Sequence, residues 1–376
     1  MRLRVLHVTS WYPSKEMPFE ALFINEHIRS LSKHCENKVF HIDVKFSNKT
    51  FFDFSYTKLS ENESSLIVNT LIKSWLIKEI IVSFIFFFIV LYNRRKVDVI
   101  NVHIAYPILT YFHFIKMLIK VPVVVFEHWT AYKLNFNLPP TTEKLDRIKR
   151  IFFQNIHLIT VSKELGNDIK SFSGNCNLNF TVVPNVVNNE MFYCDVKVHS
   201  DMSFFMVNNW RRLKAPFVIL ESFKNVLEIY PNSTLRVGGH GELWDEMCCW
   251  VKDNNLENAI NLIGPLDKIS IGIEMRKSTA FLHATSIETF SVVCAEALCC
   301  GTPVIVNEQA CIREYMNESM GVFVPELSIN AYTQGIIYFL KKRDQYDRSK
   351  ISYECLSRFS MDNVGKKYFN FLTSVR

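Results

Sequence analysis

Short apolar runs recur along this chain, separated by stretches of helical length with amphipathic spacing. The runs predict strands at residues 4–8, 39–44, 97–102, 121–126, 158–161 and 181–183. A second series is predicted at 203–207, 233–237, 259–263, 279–283, 304–306 and 321–324. Strands that alternate with helices imply parallel sheets covered on both faces. Twelve strands are too many for one ordinary doubly wound sheet. The fold class expected is therefore α/β, with two facing Rossmann-like domains and an interdomain cleft. Pro184 closes the strand at 181–183 because it has no N–H for the ladder. The polar stretch at 188–202 is the natural seam, giving domains at 1–190 and 200–355.

One apolar run stands apart. Residues 80–92 carry no charge; Lys73, Lys78 and Glu79 lie upstream, and Arg94, Arg95 and Lys96 close the end. A membrane span needs about 20 residues. The first reading is a buried crossover helix between strands. The alternative is a helix lying on the cytoplasmic leaflet with its basic end at the lipid phosphates.

Composition narrows the function classes. Of 376 residues, 48% are hydrophobic and 21% charged, so a large core is available and a disordered tail is excluded. Net charge is +6, with no block of five like charges, which gives no case for nucleic-acid binding. The ten cysteines include no CxxC and no zinc spacing, and the first residues lack the apolar segment of a signal peptide. A reducing, cytoplasmic location is expected. No Asp-x-Asp pair is present to hold a divalent ion, so no metal is expected.

In open α/β sheets, ligands bind beyond the carboxyl ends of strands, so the loops after strands carry the candidate chemistry. After the strand at 279–283, a turn containing Glu288, Thr289, Phe290 and Ser291 opens a helix that Gly301 and Pro303 stop. Such an N-terminus offers free N–H groups and partial positive charge to a phosphate. Glu296 lies about five residues further, roughly 7.5 Å along the axis, where a carboxylate can accept from two ribose hydroxyls. It sits among Ala295, Ala297 and Leu298 and needs a partner there. Glu288 can accept from hydroxyls of a sugar beyond the β-phosphate. After the strand at 203–207 come Arg211, Arg212 and Lys214, cations placed for a leaving diphosphate. After the strand at 233–237, Gly239 and Gly241 form a turn, but Trp244 occupies the third glycine position of a dinucleotide fingerprint, which disfavours a dehydrogenase. In the first half, His128 follows the strand at 121–126 and His103 the strand at 97–102. Trp11 and Tyr12 follow the first strand; they offer sugar-stacking faces or ordinary packing.

The stretch from Glu288 through Glu296 to Ala297-Leu298-Cys299-Cys300-Gly301-Thr302-Pro303-Val304 resembles the signature of the retaining nucleotide-sugar glycosyltransferases of family 4. Val183-Pro184-Asn185-Val186-Val187 is similar to that family's interdomain segment, with Val186 in place of a common Gly. The Gly238–Gly241 turn and the closing segment resemble its counterparts, the latter as a helix at 356–376 that crosses back to the N-terminal domain. The resemblance implies a GT-B architecture and donor contacts from Arg211, Gly239, Gly241, Thr289, Phe290, Ser291 and Glu296. It implies catalytic positions at His128, Arg212, Lys214 and Glu288, with Trp11, Tyr12 and His103 on the acceptor side. His128 would donate to a sugar hydroxyl or to the diphosphate. The family usually places an Arg five residues before the Lys; here Asn209 stands there, so Arg211 or Arg212 must serve, with Arg212 favoured. Ala215 replaces the Gly that often follows the Lys, and Phe19-Glu20-Ala21 replaces a Gly pair. Trp-Tyr-Pro and Glu-His-Trp resemble a bacterial subgroup associated with surface polysaccharides, such as capsule or lipopolysaccharide.

The expected activity is retaining, metal-independent transfer of a hexose from a UDP- or GDP-sugar to a growing, lipid-linked glycan, with no cofactor and no nucleic-acid partner. Two other readings stand beside it: a sugar-nucleotide epimerase or a phosphorylase on the same architecture, and a non-catalytic sugar-nucleotide-binding scaffold, which Asn209 keeps open.

Overall fold

A computed structural model describes residues 2–13, 21–195 and 202–376. The chain divides into two compact units, Met1–Val186 with Met361–Arg376, and Val187–Ser360.

The first unit runs β1 (Leu3–Thr9), α1 (Leu22–Leu31), β2 (Cys35–Phe46), β3 (Phe52–Lys58), β4 (Glu63–Thr70), α2 (Trp75–Asn93) and β5 (Val99–His103). It continues through α3 (Phe112–Ile115), β6 (Val123–Glu127), α4 (Glu143–Ile151), β7 (His157–Thr160), α5 (Lys163–Ser173) and β8 (Phe180–Val182). Its sheet order is β3-β4-β2-β1-β5-β6-β7-β8, parallel except where β3 pairs antiparallel with β4. β5 is buried at every position, as a strand covered on both faces requires.

The second unit runs β9 (Ser203–Asn209), α6 (Pro216–Ile229), β10 (Thr234–His240), α7 (Trp244–Asp253), β11 (Ile260–Gly264) and α8 (Lys268–Lys277). Then follow β12 (Ala280–His283), α9 (Val292–Cys299), β13 (Val304–Asn307), α10 (Ala310–Arg313), β14 (Gly321–Val324), α11 (Ile329–Lys342) and α12 (Arg348–Phe359). Its six parallel strands are ordered β11-β10-β9-β12-β13-β14, the Rossmann arrangement. Strand order reverses between β9 and β12, and ligand crevices form at that point. The last helix, α13 (Met361–Ser374), belongs to the first unit. There it packs on α1 so closely that a Cβ at Gly365 would lie 2.2 Å from the Ser30 carbonyl oxygen.

The α/β class with two Rossmann-like units holds, and all twelve expected strands are present. β3 and β4 were not expected. Every residue of β3 is exposed, and β4 has a continuous apolar run only at Leu66–Val68, so neither carries the signal of a covered strand. The helix expected at 80–92 is longer. It begins at Trp75 and takes Lys78 and Glu79 into its first turns, because Glu79 is buried with partners. Arg147 Nε donates to Glu79 Oε2 at 2.8 Å and the Tyr106 hydroxyl to Oε1 at 3.0 Å. Only one side of α2 is buried, against the sheet, so the simple buried reading is corrected.

Candidate functional site

The second unit gathers most of the candidates at the carboxyl ends of β9, β10 and β12. Trp210 leaves β9 and locks the exit: its backbone N–H donates to the His240 carbonyl at 2.6 Å and its indole to the Gly238 carbonyl at 2.9 Å. That closeness dictates the glycines. A Cβ at Gly239 (φ 109°) would lie 2.0 Å from the Asn208 carbonyl oxygen, and one at Gly241 (φ 141°) 2.5 Å from Trp210 backbone atoms. Gly239 and Gly241 thus bring the β10 turn against the β9 loop.

That loop carries the cations. Lys214 pairs with Glu288 from the loop after β12. His283, the last residue of β12, sets its Nε2 3.2 Å from Glu288 Oε1 and 3.2 Å from Ser291 Oγ. Burial pushes the Glu288 carboxyl up, but the Lys214 charge and the His283 hydrogen bond outweigh it and hold it at about 2. Burial lowers the His283 pKa, so this imidazole is neutral at pH 7. Ala215, in the place of the family's Gly, adopts the left-handed conformation with φ 36°. Arg211 and Arg212 are both exposed, and the Arg212 backbone N–H donates to Glu242 at 3.3 Å. Asn209 is exposed beside Gly241, at the spacing where the family has Arg.

Ser291 caps α9 in the left-handed region with φ 64°. Its hydroxyl lies on His283 and no side chain caps the backbone of α9, whose leading N–H groups can donate to an anion. Thr289 is half-buried in the same turn. The Phe290 ring is not open to a donor, a correction: it packs against Tyr315 and Phe359 in the core. Glu296 is 3% exposed and meets Lys268, at the start of α8. Sequence reasoning required a partner for Glu296 but did not name Lys268. It also passed over His283, whose only signal was its place at a strand end.

The first unit carries a second group at the carboxyl ends of β1, β5 and β6. His128 is buried, stacked on Phe126 at 4.5 Å and on His103 at 5.9 Å, and tilted against His27 at 5.3 Å. Burial holds the His128 and His103 pKa values well below the ordinary value, and brings His7 and His27 to about 4. His103 is fully buried, with His7 Nδ1 3.2 Å and the Asn101 amide 2.8 Å from its Nε2. It therefore supports His128 from beneath and cannot touch an acceptor. Tyr12 is corrected likewise: it is 2% exposed and its hydroxyl donates to Glu63 at 3.1 Å, so it packs instead of stacking on a sugar. Trp11 remains partly exposed, edge-on to Trp129 at 5.0 Å. Of the loop expected to meet the acceptor, Ser14 through Glu20 lie outside the described residues, and Ala21 is left-handed with φ 48°.

Among the described residues, no three His, Cys, Asp or Glu side chains converge as a metal site.

Residues 196–353, within the second unit, match the family described as glycosyl transferases group 1. No curated protein matches the chain in sequence. Solved structures match its fold along its whole length. Sucrose-phosphate synthase from Thermosynechococcus elongatus is similar at TM-score 0.75 and 13% identity, covering 100% of this chain and 99% of the other. Anabaena HepE, solved with UDP-glucose, is similar at TM-score 0.73 and 14% identity, over 99% and 100%. The lipopolysaccharide outer core galactosyltransferase WaaB is similar at TM-score 0.73 and 12% identity, over 99% of each chain.

Proposed function

We propose that this protein is a retaining glycosyltransferase that moves a hexose from a UDP- or GDP-sugar to a growing, lipid-linked glycan. The observation that carries the reading is the grouping of Lys214, Glu288, His283 and the uncapped start of α9 at the strand-order reversal, with Glu296 further along the same helix. The match of residues 196–353 to a glycosyl transferase family supports it.

The diphosphate would sit at the start of α9, where N–H groups, Lys214 and Arg212 or Arg211 meet the charge that grows on it as the sugar leaves. Glu296 would accept from the ribose hydroxyls and Glu288 from hydroxyls of the transferred sugar. No carboxylate is placed as a clear nucleophile, which suits a front-face reaction. The bond from C1 to the phosphate oxygen breaks, and the bond from C1 to the acceptor oxygen forms on the same face. The acceptor's proton passes to the leaving phosphate, giving a glycoside and a nucleoside diphosphate. Fixed cations take the role of a metal in this scheme.

Asn209 favours one other reading, a subunit that binds the sugar nucleotide without turning it over. Titration with UDP-, GDP- and ADP-sugars, followed by assay of nucleoside diphosphate release with a lipid-linked acceptor, tests both. Binding with release supports the transferase; binding without release supports the scaffold; no binding of any sugar nucleotide overturns both.

A further inference from the structure

α2 is 19 residues long, about 28 Å, and apolar enough to cross a membrane, yet one stripe of it is committed to the sheet. Glu79, Val82, Phe86 and Val90 are buried there, with Glu79 in its ion pair to Arg147. The other side is bare. Leu76, Ile80, Phe84, Phe88 and Tyr92, every fourth residue, are 45–66% exposed. Beside them the edge strand β3 exposes Phe52 and Phe54, and the two elements enclose an apolar groove of about 420 Å³. A long exposed edge strand with aromatic side chains is a liability that folded proteins usually cover.

The rim of this face is cationic. Lys78 and Lys144 lie over the Trp75 ring at one end of α2, the latter at 4.1 Å. Lys96 and Lys38 lie over the Tyr92 ring at the other, the former at 3.8 Å. Lys38 and Lys96 also line a cavity of about 590 Å³ with Arg2, Arg4 and Arg29, alongside Glu36 and Glu63. The first unit holds 26 Lys and Arg against 16 Asp and Glu, a charge of +10; the second holds 17 against 21, a charge of −4. The mild net charge of the chain conceals this division.

We infer that the face formed by α2 and β3 docks on an anionic phospholipid bilayer, with α2 lying flat in the headgroup region. Amphipathic aromatics with lysines at both ends suit that interface, where rings enter the acyl boundary and ammonium groups stay at the phosphates. The packed side with Glu79 keeps α2 from spanning. The inner leaflet, with its anionic lipids, supplies the partner surface.

Flotation of the full chain with phosphatidylglycerol-containing and pure phosphatidylcholine vesicles tests this. Binding to the anionic vesicles is expected to be at least about tenfold stronger and to fall with added salt. Phe84→Ser with Phe88→Ser should weaken it at least about tenfold without moving the melting temperature, since both rings are exposed. Arg94→Glu with Arg95→Glu should weaken it through charge alone. Absence of vesicle binding, equal binding by the Phe84/Phe88 variant, or resistance to both salt and carbonate would overturn the proposal. So would a dimer in solution that the same variant dissociates, which would assign the face to a second copy. Vesicle binding is read without donor or acceptor, so its failure is separate from any failure of the sugar-transfer reading.

Discussion

Lys214 and Glu288 form an ion pair across 74 residues of sequence, joining the loop after β9 to the loop after β12. The pair spans the reversal of strand order in the second unit. It fixes a lysine at the carboxyl ends of these strands, and it gives a largely buried carboxylate the countercharge that burial demands.

Removing Lys214 should therefore do two separable things. Lys214→Ala is expected to lower sugar-nucleotide turnover by about 10²- to 10³-fold, as loss of one preorganised charge does. It should also destabilise the fold by on the order of 3 kcal/mol, because the largely buried Glu288 loses its countercharge and keeps only the His283 contact. The pH dependence carries the sign. Glu288 is held at about 2, below its ordinary value near 4.5, so its stabilisation is present above pH 4.5 and lost as pH falls toward 2. Denaturant melts between pH 3 and 7 should show that acid limb in the parent and a weakened one in the variant.

The histidines of the first unit predict a second acid transition. His7 and His27 are held neutral at about 4 by burial, against 6.5 in the unfolded chain. Below pH 6.5 the unfolded state binds more protons, so stability falls between about pH 6.5 and 4. On acidification the first unit should open before the second. Limited proteolysis at pH 5 with peptide mapping checks this; earlier cleavage in residues 202–360 would contradict it.

Ala215 takes φ 36°, a conformation that costs a residue with a Cβ about 1–2 kcal/mol. Part of that gain is offset by the freer unfolded chain of glycine. Ala215→Gly should raise stability by about 0.5–1 kcal/mol. Gly239→Ala should do the opposite and by more, because its Cβ would meet the Asn208 carbonyl at 2.0 Å. Thermal melts of the two variants should move in opposite directions.

Glu296→Ala is expected to weaken nucleotide binding by about 1–3 kcal/mol through lost charge-assisted hydrogen bonds, with the fold retained. Lys268, left without Glu296, has a third of its side chain in solvent and can rehydrate. Calorimetry with UDP and GDP measures it, and unchanged affinity would make the Lys268–Glu296 pair structural only.

Activity should persist in excess EDTA, because the proposed reaction draws the charge under the diphosphate from Lys214 and the neighbouring arginines. Loss on chelation with recovery in Mg²⁺ or Mn²⁺ would assign that role to an ion.

Local periodicity was enough to locate twelve strands, the turn before α9 and the glycine turn after β10. Those features depend on neighbours a few residues apart: an apolar run, a helix stop, a backbone position that admits no Cβ. β3 and β4 escaped because an uncovered edge needs no apolar run. Lys268 escaped because its partner is 28 residues away and nothing near Asp267 announces an ion pair. Tyr12 and His103 could each have faced a sugar by their place after a strand; burial decided otherwise, when Glu63 came under the Tyr12 hydroxyl and the ring of His128 stacked on His103. The apolar run at 80–92 was visible as composition, but which of its residues stay bare depended on the sheet that covers the other side. Pattern along the chain specifies which elements form and where their ends lie; which charges meet and which faces remain open depends on what packs against them, and that is set only when distant segments come together.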